Sequence, residues 1–498
     1  MDQLNARLVK DKNLFPDFNF EQLPEKVIQF GEGNFLRGFV DWMIHEMNRQ
    51  GVFNGRVVAI QPTPHGKVVP KLNEQDGLYT LILRGLVNGE MVETTQIITS
   101  ISRGINPYEK WNEVLKVAEN QDIEFVFSNT TENGLVYKKE DYITGKAPSS
   151  FPGKLTAFLY HRFISQKSGM VIIPCELVEN NGTLLKQIVL KIIDDWEFPN
   201  SFKKWIEQEN IFCNTLVDRI ITGFPSVEIE QINASLGYYD KLLTVGEPYH
   251  LFAIESHQDL SEKIPFQKVG LNVQWGNVAP IRELKTRILN GAHTMMFAIG
   301  LLAGKATVYE AMQDESIRHF ILKAVESDIL PYVNFIKNNK EDFAKKTFDR
   351  FLNPYIKHYL IDIGQNSLSK FKSRLLPTLK ESYESEVNSF SKFVTFSLSA
   401  LLLLYRPLKV EGDYFIGKWK EKQYRIRDRP FYIQFLEEVW KSGTNLEDII
   451  RRILSEQSMW SIDLTRFEGL EDLTREYMLL IEKEGIDRAL KLFLKALS

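Results

Sequence analysis

Three features predict an α/β chain whose second half is mainly α-helical. Short apolar strands alternate with helical stretches over the first half, a glycine turn joins the first strand to the first helix, and β-like runs become scarce beyond Pro280. The chain has 498 residues, too many for one compact domain, and the change of texture near Asn272–Pro280 divides it into domains 1–277 and 278–498. A hydrophobic content of 44%, a charged content of 25% and a net charge of -4 describe an ordinary globular protein and give no footprint for nucleic acid or an anionic membrane. Cys175 and Cys213 form no CxxC pair, and the eight histidines show no zinc-ligand spacing, so neither a structural metal nor a disulfide framework is expected. The polar start Met1–Lys10 and the shortness of every apolar run predict a cytoplasmic protein without a membrane span.

The elements follow in order. Lys26–Phe30 reads as a buried strand, and Gly31-Glu32-Gly33 leads into a helix with apolar positions Phe35, Phe39, Trp42, Met43 and Met47. Arg56–Ile60 is a second strand, stopped by Pro62. Leu78–Val87 and Met91–Ile101 flank Asn88-Gly89, a hairpin signal, and are expected to add to the sheet in antiparallel fashion. Ile123–Phe127 and Met170–Pro174 are further buried strands, so the rhythm is that of βαβ units and a parallel sheet. Beyond Pro280, long amphipathic stretches such as Arg429–Trp440 and Leu470–Leu497 dominate.

A strand, glycine turn and helix start is either an ordinary turn or a cradle for a phosphate on backbone N–H groups; its place opening a βαβ series favours the second and predicts a Rossmann-like dinucleotide-binding domain. Gly31 and Gly33 form that turn, although Leu36 replaces the third glycine of the usual fingerprint. The acid expected after the second strand is missing; Gln61 stands there, and no arginine replaces it, so NAD and NADP are not separated by these residues. Thr130 and Thr131, in the loop after Ile123–Phe127, offer hydroxyls to ribose or nicotinamide, or simply close a strand-to-helix loop. Asn181-Gly182 is either a turn or an amide that donates to a substrate oxygen. Asp218 and Arg219 read as a buried ion pair or as a lining of the cofactor site.

The most informative pattern is Lys285, Asn290 and His293. At about 100° per residue, Asn290 lies roughly 140° and His293 roughly 80° around a helix from Lys285, so all three share one side. Desolvation there would fit the lysine for general acid/base work, unless Asn290-Gly291 breaks the helix. Arg350-Phe-Leu-Asn-Pro354 and Ser369-Lys-Phe-Lys-Ser-Arg374 supply cations for an anionic substrate or, more plainly, for solvated helix faces.

Taken together, Gly31-Glu-Gly33-Asn-Phe-Leu-Arg37, Cys175…Asn181-Gly182, Val217-Asp-Arg-Ile220 and Lys285-x4-Asn290-x2-His293 resemble the polyol-specific long-chain dehydrogenases, the mannitol dehydrogenase family. The resemblance runs from about residue 25 to beyond 380. It implies a zinc-independent, NAD-linked oxidoreductase with a small-molecule sugar-acid substrate from hexuronate catabolism, acting as a monomer or weak homo-oligomer. It also implies that Lys285 is the general acid/base, that Asn290 and Asn181 polarise the substrate oxygen, that His293 orients the substrate, that Gly31, Gly33, Asn34 and Phe35 are the dinucleotide residues and that Asp218 lies on the cofactor side. Mannitol enzymes carry a glutamate three residues before the lysine; Arg282 stands here, a cation suited to a carboxylate, with Lys370 and Arg374 as the other candidates for gripping it.

Overall fold

The computed structural model describes residues 1–12, 14, 19–130, 132–334, 337–385, 390–419 and 421–497. Thr131 lies outside the described residues. The chain forms two compact units, one made of Met1–Arg84 and Met91–Ile281, the other of Gly85–Glu90 and Arg282–Ser498.

In the first unit the strands are β1 (Glu25–Phe30), β2 (Arg56–Ile60), β3 (Tyr79–Val87), β4 (Glu90–Ile98), β5 (Ile101–Ile105), β6 (Phe125–Ser128), β7 (Val171–Pro174) and β8 (Ile211–Phe212). Six of them make one sheet in the order β5-β2-β1-β6-β7-β8, parallel throughout. The chain winds outward from β1 through β2 to β5, returns to β6, and then winds the other way. This is the doubly wound order, whose switch point lies between β1 and β6.

The sequence explains why the sheet is buried on both faces. Val27, Val57, Phe125, Phe127 and Ile173 point into one apolar core, while the alternate residues Ile28, Phe30, Val58, Val126 and Ile172 point into the other. Helix Val40–Arg49 covers the first face, and helices Trp111–Glu119, Phe151–Ile164 and Asn181–Asp195 cover the second. At roughly 1.5–3 kcal/mol per fully buried aliphatic or phenyl side chain, this two-sided burial is the main force holding the sheet.

Two sequence expectations change in detail. The hairpin forms with Asn88 and Gly89 at φ 55° and 81°, the left-handed pair a two-residue turn needs. Its second strand ends at Ile98, however, because the Thr99 N–H donates to His45 Nδ1 (3.3 Å) and the Ser100 carbonyl accepts from Val57 N (2.8 Å), releasing Ile101–Ile105 to join β2 in the parallel sheet. The hairpin belongs instead to a separate sheet in the order β10-β11-β3-β4, after β9 (Asn214–Asp218) and with β10 (Ile221–Gly223) and β11 (Thr244–Gly246). The helix after the glycine turn is likewise two helices, Asn34–Arg37 and Val40–Arg49. The Gly38 carbonyl is taken by Arg219 Nη1 (2.9 Å), which draws it out of the helical ladder.

From Arg282 onward the described regular elements are helices apart from a three-stranded meander, Lys409–Glu411, Tyr414–Trp419 and Lys422–Arg427. The core helices of this region, Gly291–Leu302 and Lys392–Leu404, are buried nearly all round, as the absence of Asp, Glu, Lys and Arg from all but the exposed first residue, Lys392, dictates. No described helix is long and apolar enough to cross a membrane.

Candidate functional site

In the first unit the loops that follow β1 and β6 meet at the switch point. Gly31 adopts φ 124°, and a Cβ there would stand 2.9 Å from the Asn129 carbonyl oxygen, so only glycine closes this turn. Gly33 is exposed with open space where a side chain would be, which lets a ligand approach the backbone. Asn34 is exposed and Phe35 half-buried, stacked on Phe39 at 5.0 Å between ring centres. Beneath the turn, Arg37 donates to the Glu32 carbonyl, to Asn34 Oδ1 (2.6 Å) and to Thr244 Oγ1 (3.2 Å). Burial raises the Glu32 carboxyl to about 7 against the charge of Arg37, and it likewise raises Asp41 to about 7.

Gln61, just beyond β2, is buried. Its Nε2 donates to the Thr63 carbonyl (2.7 Å), while Oε1 has no partner among the described residues. Thr130 gives both its N–H and its hydroxyl to Glu176 Oε1 (3.0 Å each), and Ser128 Oγ donates to Glu176 Oε2 (3.0 Å), so this carboxylate ties the ends of β6 and β7 together. Glu176 was missed by sequence reasoning; its only signal is an acid directly after a buried strand.

Asn181 is fully buried and its carboxamide is saturated. Nδ2 donates to the carbonyls of Pro174 and Glu176 (3.0 Å each) and to Thr215 Oγ1 (2.9 Å), and Oδ1 accepts from the N–H groups of Gly182 and Thr215 (2.9 Å each). The structure gives it the role of a brace at the end of the sheet. Asp218 is buried at the end of β9. Arg219 reaches the carbonyls of Gly38 and Glu247 and lies 4.1 Å over the Trp42 ring, its pKa lowered to about 9 by burial despite Glu247 and Glu46.

In the second unit, Lys285–Asn290 is a π-helix that runs without interruption into the α-helix Gly291–Leu302; Asn290-Gly291 is not a turn. On an α-helix Lys285 and Asn290 would stand about 140° apart. On a π-turn, whose hydrogen bonds span five residues, they stand one above the other. Lys285 and Asn290 are half-buried, and the Asn290 carboxamide has no hydrogen-bond partner among the described residues, in contrast to Asn181. Arg287, buried on another side of the same turn, bonds Glu283 (3.2 Å), the Tyr332 carbonyl (2.9 Å), Thr378 (2.9 Å) and Glu381, and so holds the turn to its surroundings.

His293 is 7% exposed, its ring 4.5 Å from that of Phe351 and 4.8 Å from that of His358. Burial, then His358, Arg350, Arg374 and Lys370, hold its pKa well below the usual histidine value, so it is neutral. Arg374 Nη1 donates to Thr294 Oγ1 (3.1 Å) and to the Asn290 carbonyl (3.4 Å), and burial lowers its pKa to about 10. Lys370 donates to the Ile363 carbonyl (2.8 Å) and falls to about 8 through burial and the neighbouring Arg374. The structure thus brings Lys370 and Arg374 to His293; Arg282 is half-buried on the helix Val278–Leu284.

A doubly wound parallel sheet with a glycine turn at its switch point is the architecture of nucleotide-linked dehydrogenases. The description "Mannitol dehydrogenase Rossmann domain" matches residues 25–268 and "Mannitol dehydrogenase C-terminal domain" matches residues 277–478, and the chain belongs to the mannitol dehydrogenase family. It is 47% identical over 498 residues to an altronate oxidoreductase of Halalkalibacterium halodurans, covering 98% of this chain and 97% of the relative. It is 41% identical to an altronate oxidoreductase of Bacillus subtilis, with 97% of each chain covered. Among solved structures, a D-sorbitol dehydrogenase in substrate-free form superposes with a TM-score of 0.79 at 20% identity, covering 98% of this chain and all of that one. Pseudomonas fluorescens mannitol 2-dehydrogenase, in a ternary complex with NAD and D-mannitol, superposes at 0.69 and 18% identity, with 99% of each covered. These two share the fold.

Proposed function

We propose that the chain is a cytoplasmic NAD-dependent oxidoreductase, a monomer or weak homo-oligomer, that interconverts D-tagaturonate and D-altronate. The observation that carries this reading is the π-turn that aligns Lys285 with an unengaged Asn290 carboxamide, one α-turn before a neutral His293 set among cations. The names of the relatives support the sugar acid as substrate. We divide the work between domains 1–277 and 278–498.

The first domain fits a dinucleotide. The open backbone at Gly33, the forced turn at Gly31 and a Gln61 Oε1 without a partner among the described residues suit a pyrophosphate and a ribose hydroxyl. Gly31, Gly33, Asn34, Phe35, Gln61, Thr130 and Asp218 are the residues that would hold it. Once bound, NADH supplies a hydride to the keto carbon.

The remaining steps belong to side chains. The Lys285 ammonium gives its proton to the carbonyl oxygen as that oxygen becomes negative, and the Asn290 amide donates a hydrogen bond to the same oxygen. His293, uncharged, can accept from or donate to a neighbouring hydroxyl and fix the sugar chain. Arg282, Lys370 and Arg374 are the cations available to the carboxylate. Asn181 serves by bracing the loop Cys175–Asn180.

Lys285→Ala tests this. NADH binding, followed by fluorescence, is expected to persist while kcat falls by about 10³-fold; near-normal turnover would refute the role. Comparing rates on D-tagaturonate, D-fructuronate and fructose separates this substrate from those of sister enzymes. A protein that binds NADH but consumes none over the cycle would be an epimerase or a sensor instead.

A further inference from the structure

We infer that Arg37 is the positioning residue of the dinucleotide turn: its buried guanidinium turns the Glu32–Gly33 peptide so that the Gly33 N–H faces outward, as a donor for a phosphate oxygen. The inference rests on the dinucleotide reading above and adds to it the side chain that sets the direction of the donor.

A trans peptide carries its carbonyl and its N–H on opposite sides, so whatever holds the carbonyl also aims the N–H of the next residue. The peptides of this turn are trans. The Glu32 carbonyl is turned beneath the turn, where it accepts from Arg37 Nη1. The Gly33 N–H therefore points away from the guanidinium, on the side where Gly33 is exposed and has open space around it. That N–H has no acceptor among the described residues. The preceding peptide is held in the same sense, since the Gly31 carbonyl accepts from Nε2 of the fully buried Gln29 (3.0 Å). The outward Glu32 N–H is taken by the Glu32 carboxylate itself, which leaves Gly33 as the open donor of the pair.

Arg37 is only 3% exposed and is gripped from three elements. Its Nη2 donates to Asn34 Oδ1 in its own helix (2.6 Å) and to Thr244 Oγ1 on β11 (3.2 Å). Its backbone carbonyl accepts from Tyr79 Oη on β3 (2.6 Å), and its guanidinium lies 5.6 Å from the centre of the Tyr79 ring. Asp41, Asp240 and Glu32 face it as negative groups. None of them bonds it among the described residues. Asp41 accepts from Gln29 (3.2 Å), and Asp240 accepts from Gln75 (2.9 Å) and from the N–H groups of Thr80 (2.5 Å) and Leu242 (2.7 Å). All the hydrogen bonds of this buried cation thus go to neutral oxygens, one of them the carbonyl that sets the turn. A planar guanidinium reaches such divergent acceptors at once, and an ammonium does not.

The test uses the full chain. Bound NADH is followed by fluorescence and displaced with ADP-ribose, which carries the pyrophosphate, or with adenosine, which does not. In Arg37→Lys the Kd for ADP-ribose is expected to rise about 30-fold and that for adenosine by less than about threefold. Thr244→Val removes one anchor of the guanidinium and keeps its charge, so the same pattern is expected at about threefold. Tyr79→Phe is the structural comparison: melting temperature should fall while the ratio of the two Kd values stays the same. Equal losses for the two ligands in Arg37→Lys, or no loss for either, would overturn the inference. Should that variant not fold, Thr244→Val decides by itself, and an unchanged ratio of Kd values there would sink the clamp. A wild type that binds no NADH would refute the dinucleotide reading itself, and the role of Arg37 with it.

Discussion

The glycine turn of the first unit and the π-turn of the second prepare a ligand site in opposite ways. Around Gly31 the working groups are main-chain atoms, shaped by the absence of side chains; the nearby acids Glu32 and Asp41 are buried and raised to about 7. Around Asn290 the backbone is a scaffold, and side chains gathered from three separate helices and one connecting segment supply the chemistry. The first design depends on conformation and the second on convergence. They should therefore fail differently.

The sharpest contrast is within the turn itself. Gly31→Ala forces a side chain into φ 124° and against the Asn129 carbonyl, so a melting-temperature drop equivalent to about 2–3 kcal/mol and loss of NADH binding are expected. Gly33→Ala, at φ -69° with open space around it, should leave the melting temperature unchanged and still weaken NADH about tenfold, because its methyl group fills the ligand's space. If the two variants behaved alike in calorimetric titration and thermal unfolding, the turn would not be a backbone-built site.

For the π-turn the expected weak point is its anchor. Arg287→Met removes a buried cation from two half-exposed carboxylates and should cost about 2 kcal/mol in urea unfolding, with kcat falling while NADH affinity stays the same. Loss of stability without loss of kcat would show that the turn keeps its shape unaided.

A last contrast concerns pH, within the first unit. The unfolded chain releases the Asp41 proton near 3.8, whereas the folded chain keeps it to about 7, so Asp41 lowers stability progressively as pH rises through that window. Asp41→Asn should flatten the decline in urea midpoint between about pH 4 and 7 and exceed the wild type at about pH 8. An unchanged slope would mean that another group, such as Glu32, governs the pH response.

Legibility in the sequence follows the same division. The strands of the sheet and the Asn88-Gly89 turn could be read because their signals are local, apolar runs and a glycine with required torsions. Ile101–Ile105 was concealed because it continues the hairpin's apolar run, and only the Thr99–His45 and Ser100–Val57 bonds separate the two. Lys285, Asn290 and His293 were found as a spacing, yet the α-helical phase assigned to them was wrong for the first pair, since nothing in Lys-Thr-Arg-Ile-Leu-Asn announces a π-turn. Glu176 gave only the signal of an acid just past a buried strand, because its partners Ser128 and Thr130 lie tens of residues distant, and His358 gave none, because it is defined by its contact with the His293 ring. Asn181 looked the same as Asn290 on paper; burial and saturated bonding distinguish them.

The π-turn carries an evolutionary corollary. A stretch of six residues wound more loosely than its neighbours is equivalent to an ordinary helix that has accepted a single insertion. Losing that extra residue would tighten the winding and improve its internal bonding, while swinging the amine away from the amide. A variant shortened by one residue within Lys285–Asn290 is therefore expected to gain stability while losing kcat, a trade of turnover for robustness.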